Sequence, residues 1–195
     1  MTLPREFYHR PARVVARGLL GCVLVSRRDA VVTAGTIVET EAYLGPEDAA
    51  SHAAFRPGSH HLFYGEGGIA YVFPIYGRHA CLNAIAGARG TPGCVLIRAL
   101  APTEGQATMA RRRGVSAASR RLASGPGNLT RALGITVRDN GADLTAGAIT
   151  IEAPATPVAV RVAVGPRIGI TRAVERPLRF WVEGSPFVSA TRLTA

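Results

Sequence analysis

The run Val31–Tyr43 constrains the fold most. It has no proline, is rich in Val, Thr and Ile, and carries the β-branched composition of a strand. A second strand-like stretch, Cys22–Arg27, precedes it across a polar turn near Arg28-Asp29. Three more strands are expected at Ile69–Tyr76, His79–Ile85 and Cys94–Leu100, and three others near Ile149–Ala153, Val158–Val164 and Leu178–Val182. Helical patterns are few. One starts at Pro11, runs through Val14, Val15, Leu19 and Leu20 and stops at Gly21. A short helix is expected over Glu47–Ala53 and a longer one over Thr103–Arg113, whose terminal arginines suit the helix dipole. Another runs through Leu129–Leu133 to Gly134, and the Gly-, Pro-, Ser- and His-rich segment 55–68 reads as an exposed loop. Many strands with few connecting helices predict an α+β fold around a largely antiparallel sheet.

At 195 residues the chain is long enough for one domain with a full core, taken as residues 1–195. No apolar run approaches the ~18 residues of a membrane span, and the N-terminal residues lack the apolar region of a secretory signal. An intracellular protein away from the membrane is expected. Cys22, Cys81 and Cys94 have no C-x-x-C spacing and read as small buried residues.

Charge narrows the function. The net charge is +10, which suits a polyanionic partner such as nucleic acid. All 23 basic residues are Arg, so an arginine-biased composition also accounts for the excess. The absence of Lys excludes a P-loop and leaves only the α-amino group for Schiff-base chemistry.

Within the long strand, alternation places Glu39, Glu41 and Tyr43 on one face and Thr40 and Ala42 on the other. Glu39, Glu41, Glu47 and Asp48 gather four of thirteen acids into ten residues of a basic protein. A solvated strand face is one reading. A second is a Mg²⁺ or Mn²⁺ site with His52, as in a nuclease. The third is a general base that activates water and stabilises an oxocarbenium-like sugar during glycosidic cleavage.

Downstream, Tyr71, Phe73 and Ile75 share a face if the strand stays regular through Pro74, which itself favours an edge or bulged strand. Tyr76 faces the other way beside the turn Gly77-Arg78, and with Arg78 and His79 could wedge between DNA base steps. Ser124-Gly125-Pro126-Gly127 opens a helix whose free amides could hold a phosphate, or simply form a cap. His60-His61 is a weak metal signal, and the deaminase pattern is absent.

Taken together these segments resemble the alkyladenine (3-methyladenine) DNA glycosylase family. The resemblance is carried by Ala16-Arg17-Gly18-Leu19-Leu20-Gly21, the run from Ile37 to Asp48 with its Glu39-Thr40-Glu41-Ala42-Tyr43-Leu44-Gly45-Pro46-Glu47-Asp48 core, and Ser51-His52. It continues through Ile75-Tyr76-Gly77, Cys81-Leu82-Asn83, Val95-Leu96-Ile97-Arg98-Ala99-Leu100, Ser124-Gly125-Pro126 and Gly184-Ser185-Pro186, in family order over residues 13 to 190. The resemblance implies a curved sheet with flanking helices and a protruding hairpin that intercalates into DNA. It implies Glu41 as the general base, with Arg98 and the carbonyl of Val162 holding the water. Tyr43 and His52 would sandwich the flipped base, with Phe73 as a third wall, and Asn83 would discourage normal guanine. Tyr76 would fill the gap left in the duplex, with Arg78, His79, Ser124 and Gly125 contacting DNA. No metal or cofactor is implied. The partner would be duplex DNA with a damaged purine, the protein a monomer, and the reaction monofunctional, in line with the missing Lys. A nuclease using the same acids and a non-catalytic nucleic-acid-binding protein are the alternatives.

Three departures stand out. The loop after His52 reads Arg56-Pro57-Gly58-Ser59-His60-His61 where many members have a T-P-R-N-like run. Phe73 stands where Tyr is frequent, and Gly127-Asn128 where a Lys often follows Ser-Gly-Pro.

Overall fold

The computed structural model describes residues 1–28, 30–75, 77, 79–156 and 159–189. The strands are β1 (Val23–Arg28), β2 (Val31–Tyr43), β3 (Ala70–Ile75), β4 (His79–Ile85), β5 (Cys94–Glu104), β6 (Ile149–Glu152), β7 (Val162–Gly165) and β8 (Arg179–Val182). The helices are α1 (Arg5–Tyr8), α2 (Ala12–Gly18), α3 (His52–Phe55), α4 (His60–Phe63), α5 (Gln106–Arg113) and α6 (Pro126–Leu133). The fold is α+β, with a curled antiparallel sheet flanked by helices. Among the described residues no helix is long and apolar enough to cross a membrane.

The sheet runs β3-β4-β5-β2-β1-β6 and branches at β2. One edge of β2 pairs with β5 along most of its length. Its other edge pairs first with β1, through residues 31–36, and then with β8, through Glu39–Glu41. β7 completes that second arm by pairing with β8. A strand that changes neighbours midway must twist, and β-bulges supply the twist. The β2–β5 register skips Thr103, then Val38, then Arg98. Two of these irregularities bracket Glu39.

Alternation sorts the sheet into two faces. Val72, Leu82, Ala84, Val95, Ile97 and Ala42 join the main core with Val15 and Leu19 and with Leu129 and Leu133 of α6. Thr40 faces the same way and donates to the Ala16 carbonyl of α2 at 2.8 Å. The intervening residues Tyr43, Tyr71, Phe73, Ile75, Cys81, Asn83, Cys94, Leu96 and Arg98 line a cleft on the opposite face. A smaller apolar cluster of Ala53, Phe63, Tyr71, Ile85 and Cys94 underlies it. Pro74 interrupts nothing: β3 pairs regularly with β4 through Pro74–Ala80 and lies at the end of the sheet, where its missing N–H costs no ladder bond.

Several expected boundaries move. β5 continues to Glu104, so Thr103 and Glu104 belong to a strand rather than to a helix start. α5 begins only after Gly105, whose φ of 73° turns the chain, and a Cβ there would lie 2.4 Å from the Val32 carbonyl. The helix expected over Glu47–Ala53 is α3, shifted to His52–Phe55, because Asp48 turns inward instead. The stretch 55–68 is not a plain exposed loop. It contains a 3-10 turn, Pro57–Ser59, and α4, which buries Phe63. The strand expected from Val158 is seen over Val162–Gly165. Asp29, Tyr76, Arg78 and Val158 lie outside the described residues.

Candidate active site

The cleft has a volume of about 1430 Å³. Its deepest chemistry is a chain of paired charges on β2, β5 and β8. Glu39 and Glu41 are both completely buried, two residues apart on the same strand face. Two such anions repel strongly in a low-dielectric setting unless cations intervene. Arg98 intervenes. The bulge on β5 that skips it lets its guanidinium reach both: Nε donates to Glu39 Oε1 at 3.2 Å, and Nη1 lies 3.3 Å from Glu41 Oε1. Arg179, opposite Glu41 in the β2–β8 register, donates from Nε to Glu39 Oε1 at 2.6 Å.

Glu41 has two further partners. The backbone amide of Ile168 donates to its Oε1 at 2.7 Å, and the Tyr43 hydroxyl to its Oε2 at 2.8 Å. Burial nevertheless dominates. It pushes the carboxyl above the ordinary glutamate value against the pull of Arg98, Ile168 and Tyr43, with the Glu39 charge adding to the rise. Burial in turn works against charge on Arg98, but Glu41 and Glu39 outweigh it and hold the guanidinium firmly protonated. Arg98, Tyr43 and Ile168 line the cleft, so Glu41 stands directly behind its wall.

Tyr43 is fixed from behind. The Arg167 guanidinium sits 4.7 Å from its ring centroid and is itself almost fully buried. Arg167 grips Asp48 with two bonds, of 2.6 and 2.8 Å, and donates to the Ala42 carbonyl at 3.1 Å. Asp48 also accepts from the Leu44 and Ala50 amides. Burial favours its neutral form, but these bonds outweigh it and hold Asp48 below the usual aspartate range.

His52, the first residue of α3, is half-buried on the cleft wall, with its ring 4.6 Å from that of Phe73. Its Nδ1 shares a 2.7 Å hydrogen bond with the Tyr71 hydroxyl. Burial, with a smaller push from Arg56, lowers the imidazole pKa to about 4. His52 is therefore a neutral hydrogen-bonding group at physiological pH. Asn83 is buried in the same cleft and donates through Nδ2 to the Tyr71 carbonyl at 3.0 Å.

The structure thus brings together Glu41, Tyr43, His52, Phe73, Asn83 and Arg98. His79, Ser124 and Gly125 line the outer cleft. Gly127 lies against the His79 ring, where a Cβ would sit 3.0 Å from the His79 Cβ; a larger residue there would displace the histidine. Tyr76 and Arg78, expected at the hairpin tip, lie outside the described residues, although the hairpin closes at the Ile75–His79 pair with Gly77 at φ 69°.

Val162 is the exception. It sits on β7 opposite Val182, packs against the main core and does not line the cleft. The backbone at Glu41 is that of Ile168, six residues later. The two runs, Val162-Ala163-Val164 and Ile168-Gly169-Ile170, have the same alternating apolar pattern, so local sequence does not separate them. Arg167, Arg179 and Ser189 carried no local signal either, since their partners are 119, 140 and 150 residues away.

The acids do not form a ligand set for a metal. Glu39 is turned to two arginines and Asp48 to a third, while His52 engages Tyr71. Among the described residues no group of three His, Cys, Asp or Glu side chains converges. His60 is likewise engaged, at 3.0 Å from the Ala53 carbonyl.

Comparison with known proteins identifies the family. The model of the family described as methylpurine-DNA glycosylase (MPG) matches residues 6–186. A provisionally named 3-methyladenine DNA glycosylase of Methanoculleus marisnigri is 45% identical over 192 residues, covering 97% of this chain and 99% of its own. Similarly named proteins of Koribacter versatilis and Bacillus subtilis are 46% and 41% identical, covering 97% and 96% of this chain and 94% and 96% of theirs. With a match that spans nearly the whole chain and relatives this similar end to end, the protein belongs to the methylpurine-DNA glycosylase family.

Proposed function

We propose that this member of a DNA glycosylase family hydrolyses the N-glycosidic bond of alkylated purines in duplex DNA and leaves an abasic site. The carrying observation is Glu41: a buried carboxylate with raised proton affinity, aimed by Arg98, Tyr43 and Ile168 at the inner wall of a cleft large enough for a purine nucleotide. Raised proton affinity makes a carboxylate a better base toward water. Its negative charge also stabilises the oxocarbenium-like sugar as the base departs. The water would be held by Glu41 and Arg98, with the backbone of Ile168 in the role expected of Val162.

The flipped purine would lie between Tyr43 on one side and His52 with Phe73 on the other, with Asn83 at its edge. A base alkylated at N3 or N7 is cationic and leaves without a strong general acid. A neutral His52 suits it, because an imidazolium would repel it. Weakened pairing lowers the cost of flipping a lesion. 3-Methyladenine and 7-methylguanine are the proposed substrates, with hypoxanthine and ethenoadenine as further candidates. Tyr76 would fill the vacated stack, and Arg78, His79, Ser124 and Gly125 would hold the backbone nearby. With no Lys in the chain, only the α-amino group is left for a Schiff base with the abasic product, which favours a monofunctional activity. A monomer is the proposed form.

Single-turnover excision from a panel of lesion duplexes tests this reading. Glu41→Gln should bind a lesion duplex within a few-fold of wild type yet lose about 10²–10⁴ in excision rate. The wild-type rate should fall as pH drops through the raised Glu41 pKa, placing the acidic limb above the ordinary glutamate value of 4.5. Near wild-type excision by Glu41→Gln would remove Glu41 from the mechanism.

A further inference from the structure

Glu39 is completely buried and has both carboxylate oxygens taken up by Arg98, Arg179 and Ser189. It accepts three hydrogen bonds from three different residues. Oε1 accepts from Arg98 Nε at 3.2 Å and from Arg179 Nε at 2.6 Å, while Oε2 accepts from the Ser189 amide at 2.7 Å. Ser189 closes the circle: its Oγ accepts from Arg98 Nη2 at 3.3 Å and its carbonyl from Arg179 Nη2 at 3.3 Å. Paired bulges place this one carboxylate between two guanidinium groups.

We propose that Glu39 is a positioning residue for the hydrolytic step: it holds Arg98 by Nε so that Nη1 meets Glu41, and it cancels one of the two buried guanidinium charges beside the base. The geometry leaves Arg98 little choice. With Nε on Glu39 and Nη2 on Ser189, only Nη1 is turned toward Glu41. The charge count gives the second half. Glu39 and Glu41 balance Arg98 and Arg179 one for one. Remove the Glu39 charge, and Glu41 alone faces two cations. A carboxylate so placed binds protons less well and is a weaker base. The other groups around Glu41 do not compensate: Arg167 is matched by its own partner Asp48, Tyr43 is a neutral donor, and the nearby Cys81 thiol is pushed up to about 12 by burial and remains neutral.

The proposal rests on Glu41 as the base, and Glu41→Gln judges that assignment separately. Given that base, the test is the pH dependence of single-turnover excision on one lesion duplex for Glu39→Gln, Arg179→Gln and the double variant, with lesion affinity measured alongside. Glu39→Gln should lower the plateau rate about tenfold, keep Kd within about twofold and move the acidic limb down by about half a pH unit or more. Arg179→Gln should move the limb the opposite way, to higher pH. The double variant restores the charge balance and should return the limb close to wild type. A purely structural role predicts rate losses that track folded fraction, with no movement of the limb. Should Glu39→Gln fail to fold by circular dichroism, the upward shift in Arg179→Gln carries the test alone. Coincident limbs for wild type and every folded single variant would overturn the proposal.

Discussion

Burying an imidazole beside two aromatic rings has a thermodynamic consequence at the level of one residue. His52 titrates near 4 in the folded protein against 6.5 in an unfolded chain. The unfolded state then binds the extra proton first as pH falls. Stability from this group is therefore fully present above about 6.5 and drains away between 6.5 and 4. A shift of that size is worth up to about 3 kcal/mol, less after discounting for the half-exposed ring. Thermal melts of wild type and His52→Gln at pH 7, 5.5 and 4.5 should converge as pH falls; parallel curves would mean that the histidine is not held neutral. At this scale much of the site was legible. Strand alternation alone put Glu39, Glu41 and Tyr43 together, and the family resemblance pointed to Arg98, His52, Phe73 and Asn83. What alternation could not reveal was which acid does what. Glu39 and Glu41 are equivalent in the pattern and differ only in their partners, which come from β5, β8 and residues 167–189.

Between elements, the Arg167–Asp48 pair joins the turn after β2 to the segment after β7. It locks two things the site needs: the Tyr43 ring, which Arg167 backs, and the chain direction that carries the next residue's amide to Glu41. Both side chains are wholly excluded from solvent. Removing one charge strands the other, a loss of about 3–5 kcal/mol. Asp48→Asn should destabilise the protein by that order in urea unfolding and slow excision as well. Asp48→Asn combined with Arg167→Met should be less damaging to stability than the two single effects added, because no uncompensated charge remains. Simple additivity would show that the two are not coupled. The positions of most strands and the tight turn between β3 and β4 were readable from composition and turn residues, but not the order of the strands in the sheet. The clamp was not, because a contact between residues 119 apart leaves no periodic trace. The same limit explains the helix boundaries. Asp48 reads locally as a residue of a helix start, but its buried partner pulls it inward and the helix begins at His52 instead.

Over the whole molecule, the net charge of +10 becomes informative only when its location is known. The interior of the site is nearly balanced, with Glu39, Glu41 and Asp48 against Arg98, Arg167 and Arg179. The surplus therefore lies outside it. Three exposed arginines, Arg120, Arg121 and Arg172, line the mouth of the cleft, and among the described residues none is paired with a carboxylate. A neutral floor under a cationic rim divides the labour. The rim would attract the phosphate backbone whatever the sequence, and the floor would judge the base. Each phosphate neutralised contributes about 0.9 to the slope of log affinity against log salt for B-form DNA. Replacing Arg120 and Arg121 with Ala should lower that slope by about 2 and weaken lesion-bearing and undamaged duplexes by the same factor, leaving their ratio unchanged. Titrations of both duplexes from 50 to 200 mM salt would measure it. A selective loss on the lesion duplex would instead place these arginines in recognition of the base, and an unchanged slope would move the phosphate track elsewhere on the surface.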